Sequence, residues 1–291
     1  MTENMAVTQP LRIIAGIDPS ENAARAAGWA AHEAVDRGLS LHLVHALGFP
    51  FSMNPDAAPH YFRAGRQSAE ALLDPVVGDL RARFPHLAIT AESSDLPAPE
   101  ALVALSGTAE LLVIGARGHG GFTGLLLGSV SLQVAAHARC PVVVVRGEQR
   151  ADSRQEIVLG VASYQPAPPI EFAFATADAL GASLRAVRVW NPIPAYGGYE
   201  YDTDSMDHDS EITAEIDGLL KRAAEKHPDV AVTTVVVRGN TVPVLIEASR
   251  GARLLVVGSH RRTSPLSLGA GYVDRGLLCH SSTPVAVVPV I

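Results

Sequence analysis

The chain of 291 residues contains only two cysteines, no cluster of Lys and Arg, and no long apolar run. Two cysteines do not make a disulfide framework, which favours a reducing, cytoplasmic location. A net charge of −7 without a basic block argues against nucleic acid as the main partner. No apolar run approaches the roughly 20 residues of a membrane span, and residues 1–10 lack the basic and apolar regions of a signal peptide. We therefore expect neither a nucleic-acid nor a membrane partner.

The common motifs of catalysis and metal binding are missing too. There is no Gly-x-Ser-x-Gly elbow and no His-x3-His or Cys-x2-Cys spacing, which argues against a serine hydrolase and a structural zinc site. No Gly-Lys-Ser/Thr closes a Walker A loop, and no Gly-x-Gly-x-x-Gly follows the first predicted strand. Cys140, which precedes Pro141 at a strand entrance, is expected to be a small buried residue and not a nucleophile.

What the chain does contain is a long internal repeat. The segment Leu111–Gly115 returns as Leu254–Gly258, 143 positions later (258 − 115), and Gly128 returns as Gly271 at the same offset. A repeat of this length is a whole domain and not a solenoid unit. The sequence therefore predicts two domains, residues 1–147 and 154–291, joined by a charged linker.

Each half alternates apolar runs with helical patterns, which predicts βαβ units and a parallel sheet covered by helices on both faces. The fold class is thus α/β, with two tandem, doubly wound, five-stranded domains. Pro75 is expected to kink or break a long helix at Arg63–Arg83, and Asn191–His208 is expected to be a loop, with its acidic residues solvated. The predicted strands are Leu11–Ile17, Leu41–Leu47, Leu87–Ala91, Leu111–Gly115, Val142–Val145, Ile157–Val161, Leu184–Trp190, Val230–Val237, Leu254–Gly258 and Val285–Val290.

A glycine-rich segment, residues 115–129, follows a predicted strand and leads into a predicted helix. Glycines let a ligand approach closely, successive amides form an anion nest, and the start of the next helix attracts anions. Arg117 and His119 could add charge, and Ser129 a hydroxyl donor. The segment suits a polyphosphate; alternatively, its glycines serve only a tight connection between strand and helix.

Asp18 follows the first predicted strand, at the sheet edge where α/β proteins bind their ligands. There its carboxylate could accept hydrogen bonds from a nucleoside. The alternative is that Asp18 caps the next helix, a role for which Ser20 competes.

These residues resemble the universal stress protein family. The pattern Gly115-x2-Gly118-x9-Gly128-Ser129 is similar to the ATP-binding signature of that family, and the resemblance extends over both halves. It implies a tandem protein of the mycobacterial and actinobacterial type, with Rossmann-like domains of the adenine-nucleotide alpha-hydrolase kind. It also implies an ATP-binding regulator of stress or growth adaptation.

The resemblance further implies which residues bind ATP. Asp18 and Val44 would hold the adenosine, the glycines and Ser129 would hold the phosphates, and Mg²⁺ or Mn²⁺ would bridge phosphate oxygens without a protein side chain as ligand. The candidate binding residues are Gly16, Asp18, Val44, Gly115, Arg117, Gly118, His119, Gly120, Gly128, Ser129 and Val130.

The second half departs from this pattern. Ala162 stands where the first half has Asp18, Arg261 replaces the second glycine, and Tyr272 follows Gly271, where it is expected to crowd the start of the helix. Pro265 also removes an N–H donor. We expect the second half to have lost ordinary ATP binding; the alternative is an altered anion site using Arg261 and Arg262.

The closing strands of the two halves are apolar, and an unpaired apolar edge is a liability. The resemblance implies that they pair antiparallel about a pseudo-two-fold axis. We also expect tandem chains to form a homodimer and to contact a regulatory protein. No residue is clearly placed to activate water at a γ-phosphate, which favours a regulator over an enzyme. The alternatives are a slow ATPase, a nucleotidyl or phosphoryl transferase, a module that binds no nucleotide, and a site for AMP or cyclic AMP.

Overall fold

A computed structural model describes residues 12–48, 58–119, 126–147, 154–163, 165–191, 205–260 and 271–290. The elements of the first half are β1 (Arg12–Gly16), α1 (Glu21–Asp36), β2 (Ser40–Ala46), α2 (Ala58–Arg83), β3 (Ile89–Ser94), α3 (Ala98–Leu105), β4 (Leu111–Gly115), α4 (Ser129–His137) and β5 (Val142–Val145). Those of the second half are β6 (Arg154–Val161), α5 (Ala167–Ala179), β7 (Ser183–Trp190), α6 (Ser205–Lys226), β8 (Val232–Arg238), α7 (Thr241–Ala248), β9 (Ala252–His260), α8 (Tyr272–His280) and β10 (Val285–Val290).

All ten of these strands belong to one sheet, in the order β3-β2-β1-β4-β5-β10-β9-β6-β7-β8. Each half contributes five parallel strands, and the halves join where β5 pairs antiparallel with β10, with Val143 opposite Ala286. The order reads the same from both edges once repeat-equivalent strands are matched. This confirms the α/β class and the predicted antiparallel pairing of the closing strands.

The inner strands β1, β4, β5 and β10 are buried because their residues are apolar almost without interruption, whereas the edge strands β3 and β8 are partly exposed. Helices cover both faces, so alternate side chains enter different layers: Ile13 belongs to one buried cluster and Ile14 to the other. Both clusters include residues from both halves, such as Val143 with Ala286 and Val142 with Val285. The joint between the halves is therefore part of a continuous core.

Two local predictions need correction: Pro75 does not break its helix, and one predicted loop is shorter. Helix α2 runs through Pro75 from Ala58 to Arg83. Its buried residues on either side, Leu73 and Val77, pack against the sheet, and this packing outweighs the backbone hydrogen bond that Pro75 cannot donate. The loop predicted for Asn191–His208 is also shorter, because α6 begins at Ser205; residues 192–204 lie outside the described part of the chain. None of the described helices has both the length and the apolarity to cross a bilayer.

Candidate functional site

A cleft opens at the carboxyl ends of β1, β2 and β4 in the first half. It contains about 550 Å³ of empty space, counting its open mouth. Of the residues expected to bind a nucleotide, the structure places seven in its lining: Gly16, Asp18, Val44, Gly115, Arg117, Gly118 and Val130. Gly128 and Ser129 lie at the adjoining start of α4, His119 contributes its backbone, and Gly120 is outside the described residues.

Asp18 is held by the protein itself. One carboxylate oxygen, Oδ1, accepts hydrogen bonds from Ser20 N at 3.0 Å and Ser20 Oγ at 2.5 Å. The other, Oδ2, accepts one from the backbone N–H of His119 at 2.8 Å. A carboxylate has about four acceptor positions, so little capacity remains for a ligand. Ser20, and not Asp18, caps α1, by accepting from Ala23 N.

The glycines of the loop serve different purposes. A Cβ on Gly118 would lie 2.4 Å from Asp18 Oδ2, and a Cβ on Gly115 would lie 2.8 Å from the carbonyl carbon of Asn22. Both glycines are therefore required by contacts within the protein. A Cβ on Gly128 would meet no protein atom closer than 3.5 Å, so among the described residues protein packing does not demand a glycine there. A ligand that approaches the backbone closely at this position would require a glycine there.

The start of α4 is open toward an anion. Gly128 precedes the helix with φ −75° and ψ 149°, no side chain among the described residues caps it, and its first turn contains no acid. The hydroxyl of Ser131 points elsewhere, donating to the carbonyl oxygen of Gly115 at 2.8 Å. The first N–H groups of α4 are thus left for a ligand, at the positive end of the helix dipole.

The other wall of the cleft is apolar. Val44, Leu102 and Ile114 line it, each at most 4% exposed. His45 also lines the cleft; its Nδ1 lies 2.8 Å from the carbonyl oxygen of Ile17. That contact places the hydrogen on Nδ1, so Nε2 is an acceptor when the ring is neutral. The role of Leu102 was missed because its helix α3 joins the site only through tertiary packing.

An equivalent cleft in the second half is larger, with about 1110 Å³ of empty space on the same measure. Its lining includes Ala162, Val187 and Gly258, which match Asp18, Val44 and Gly115 in the repeat. It also includes Asp274, the equivalent of Ser131. The Asp274 carboxylate is 6% exposed and its Oδ2 accepts a hydrogen bond of 2.6 Å from Ser259 Oγ. An acidic side chain thus lies in the first turn of α8, where α4 has none.

The expected crowding by Tyr272 is wrong. Its side chain is 89% exposed and borders an outer groove with Leu126, Leu127 and Arg275. Tyr272 begins α8 and its side chain points away from the cleft, whereas that of Asp274, two residues later, points in. Asp274 could have been found from the sequence, because it stands at the repeat position that Ser131 occupies in the first half. Arg261, Arg262 and Pro265 lie outside the described residues.

Two expectations about other chemistry can be compared with the structure. In the described ranges no group of three or more His, Cys, Asp or Glu side chains is arranged to hold a metal ion. Cys140 is 5% exposed, and burial raises the pKa of its thiol to about 12. This confirms that Cys140 is a buried residue, and such a thiol is a poor nucleophile because it stays protonated.

Comparison with known proteins gives the same result for both halves. The universal stress protein family model matches residues 11–146 and 153–289. A universal stress protein of Mycobacterium tuberculosis is 32% identical over 293 residues, covering 95% of this chain and 96% of that protein. A universal stress protein of Mycolicibacterium smegmatis is 30% identical over 292 residues, with 95% and 96% covered. Among solved structures, a universal stress protein from Archaeoglobus fulgidus has the same fold, with a TM-score of 0.68, 20% identity, and coverage of 97% of this chain and 99% of that one.

Proposed function

The chain belongs to the universal stress protein family, in its tandem form, and we propose that it is a regulatory protein whose N-terminal cleft binds ATP. The observation that carries this proposal is the contrast between α4 and α8. The first turn of α4 has neither an acid nor a side-chain cap among the described residues, whereas the first turn of α8 contains the buried Asp274. A phosphate is attracted to the first helix and repelled at the second.

The cleft walls suit a nucleoside next to those phosphates. The purine would lie on the apolar wall formed by Val44, Leu102 and Ile114. Ribose hydroxyls would reach the remaining acceptor capacity of Asp18 and the Nε2 of His45, because both accept hydrogen bonds. The triphosphate would extend toward Gly128, Ser129 and Val130, and a Mg²⁺ or Mn²⁺ ion bound with it would offset part of its negative charge.

A regulatory role needs a bound state that differs from the free state in its contacts. Leu126 and Leu127 lie in the candidate phosphate loop, just before α4, and border the same outer groove as Tyr272 of the second half. Phosphates that bind the start of α4 would change the position of these residues relative to the second half. We propose that this change alters the contacts with a regulatory protein partner or between two tandem chains in a homodimer.

The ionisable groups in the cleft lining favour binding over catalysis. They are Asp18, Arg117 and His45. Asp18 already accepts three hydrogen bonds, and the Nε2 of His45 lies at the strand end of the cleft, where we place the ribose, and not at the start of α4, where we place the phosphates. Neither is poised as a base for water at a γ-phosphate, and so we propose that the protein is not an enzyme. In a single-turnover assay, hydrolysis faster than about one ATP per minute, slow beside the turnover of kinases, would overturn this proposal.

The direct test is to identify the bound small molecule. Full-length protein purified without added nucleotide is denatured, the released molecules are identified by mass spectrometry, and the emptied protein is titrated with ATP in a calorimeter. The expected result is an adenine nucleotide and a stoichiometry of one ATP per chain. Protein that carries none and releases no heat with ATP would instead be a module without nucleotide.

A further inference from the structure

The cleft of the second half differs from that of the first in where its charged side chains lie. At the carboxyl end of the second strand in each half, His45 is replaced by Arg188, and beyond the first strand Asp18 is replaced by Ala162. At the opposite end, Ser131 is replaced by Asp274. In the first cleft the hydrogen-bond acceptor Asp18 lies beside the strands and the start of α4 is open. In the second cleft the cation Arg188 lies beside the strands and Asp274 lies at the start of α8.

Arg188 is held in place without being neutralised. Its Nη1 donates to the carbonyl oxygen of Val161 at 3.2 Å, and its Nη2 donates to Ser163 Oγ. Both partners are uncharged, and no carboxylate among the described residues pairs with Arg188. The guanidinium has five N–H donors, so it keeps unused donors and its full charge at the wall of the cleft.

Gln165 contributes a second unused donor to the same cleft. Its Oε1 accepts a hydrogen bond of 2.8 Å from the backbone N–H of Ala162, which fixes the orientation of the amide. Its Nε2 is buried and finds no partner in the described part of the chain. That nitrogen lies 3.4 Å from the point that a Cβ atom would occupy if Gly258 had a side chain, near the carboxyl end of β9. A buried N–H without an acceptor is costly, and an acceptor from a ligand would remove that cost.

We propose that the C-terminal cleft binds a small organic anion, with its negatively charged head on Arg188 and Gln165 Nε2. The body of the ligand would lie on Val187, Leu245 and Val257, which line the cleft beside them. A ligand that needed a second anionic group at the start of α8 is disfavoured by Asp274. This inference goes beyond ATP binding and does not depend on it, because it concerns the other half of the chain.

The chain has a built-in reporter for this site. It contains two tryptophans. Trp190 lines the cleft, and its indole N–H donates a hydrogen bond of 2.9 Å to Asp209 Oδ1. Trp29 is 2% exposed and lies in the core of the first half. In a ¹⁵N-labelled sample of the full chain, the two indole N–H signals can be followed separately. Trp190 reports on the cleft and Trp29 serves as an internal reference.

The probes are benzoate and phenyl phosphate, which share a ring and differ in the anionic head, with uncharged benzamide as the control. We expect at least one of the anions to shift the Trp190 signal in a saturable way, to leave the Trp29 signal unchanged, and to exceed the effect of benzamide. The comparison between the two anions identifies carboxylate or phosphate as the preferred head. An equal response to benzamide, or no response to either anion, would overturn the proposal.

Variants test the two donors. Arg188→Gln removes the charge, and Gln165→Glu replaces the unused donor with a carboxylate. Each should weaken binding of the anion at least about tenfold, as expected for a lost hydrogen bond to a charged group. Arg250→Gln is the matched control, since it removes the same charge from an exposed ion pair with Glu247 and should leave binding unchanged. Unchanged affinity in both Arg188→Gln and Gln165→Glu would show that the anion binds elsewhere.

Discussion

The backbone N–H of His119 donates a 2.8 Å hydrogen bond to Oδ2 of Asp18, although 101 positions separate the two residues. Strands β1 and β4 are neighbours in the sheet, so the segments that follow them meet at one edge. The carboxylate therefore fixes the first turn of the candidate phosphate loop. This contact gives Asp18 a positioning role besides the contact with a nucleoside proposed for it.

Gly118→Ala should abolish most ATP binding. The added methyl group would lie 2.4 Å from Asp18 Oδ2, so the carboxylate must move and the bond to His119 is lost. We expect the Kd for ATP to rise at least about tenfold, corresponding to about 1.4 kcal/mol. We also expect unfolding in urea to become easier by about 1–3 kcal/mol, as for other overpacked sites. Calorimetry and urea titration measure the two effects.

The control for Gly118→Ala is the same substitution in an Asp18→Ala background. There the clashing oxygen is absent, so the stability cost of Gly118→Ala should largely disappear, which is the coupling that a double-mutant cycle detects. An equal cost in both backgrounds would mean that the methyl group clashes with something other than Asp18.

Ser131→Asp should convert the first cleft into an imitation of the second. It places a carboxylate in the first turn of α4, where a phosphate would bind the helix N–H groups. Ser131→Asn is the matched control, because Asn has nearly the same shape and no charge. ATP affinity measured by calorimetry should fall at least about tenfold further in the Asp variant than in the Asn variant. Equal losses would mean that only the size of the side chain matters.

The two halves should bind ATP unequally. Arg261→Gly should restore no measurable ATP binding to the second half, because Ala162 and Asp274 remain. Tyr272→Ser should also change nothing there, since Tyr272 is 89% exposed outside the cleft. In contrast, Arg261→Gly combined with Asp274→Ser removes the acid from the first turn of α8 and should bind ATP more tightly than Arg261→Gly alone. A wild-type stoichiometry of two ATP per chain would contradict this asymmetry.

The two cysteines should differ in reactivity. Burial raises the pKa of Cys140 from 9.0 to about 12, whereas Cys279 is only partly buried and borders the outer groove. At pH 8 a thiol reagent should modify Cys279 quickly and Cys140 only after unfolding. A Cys279→Ser variant that still reacts quickly in its folded state would disprove this order.

The raised pKa of Cys140 also has a consequence for stability. The thiol stays protonated in the folded state, so its contribution is complete below about pH 9 and is lost as the pH rises toward 12. Cys140→Ala should flatten this alkaline part of the stability curve measured by urea unfolding. An identical alkaline decline in the variant would mean that other groups cause it.

The sequence alone was enough to determine the fold and the position of the cleft. The 143-residue repeat and the apolar runs predicted ten strands in two parallel groups, and the apolar closing strands together with the family resemblance predicted the β5–β10 joint. These features are local or periodic, and burial on both faces of a sheet leaves a direct trace in the composition of each strand. Because ligands of such sheets bind at the carboxyl ends of strands, the residues that follow β1 and β4 were predicted to form a site, and they line the cleft.

Only the tertiary structure decided what individual residues do within that site. The contact of Asp18 with His119 joins segments 101 positions apart, and nothing in either segment encodes the other. The opposite directions of Tyr272 and Asp274 depend on where α8 begins and how it packs on the sheet. Spacing predicted which residues gather at the cleft, but the direction of each side chain follows from packing between elements, because chain neighbours alone do not determine it.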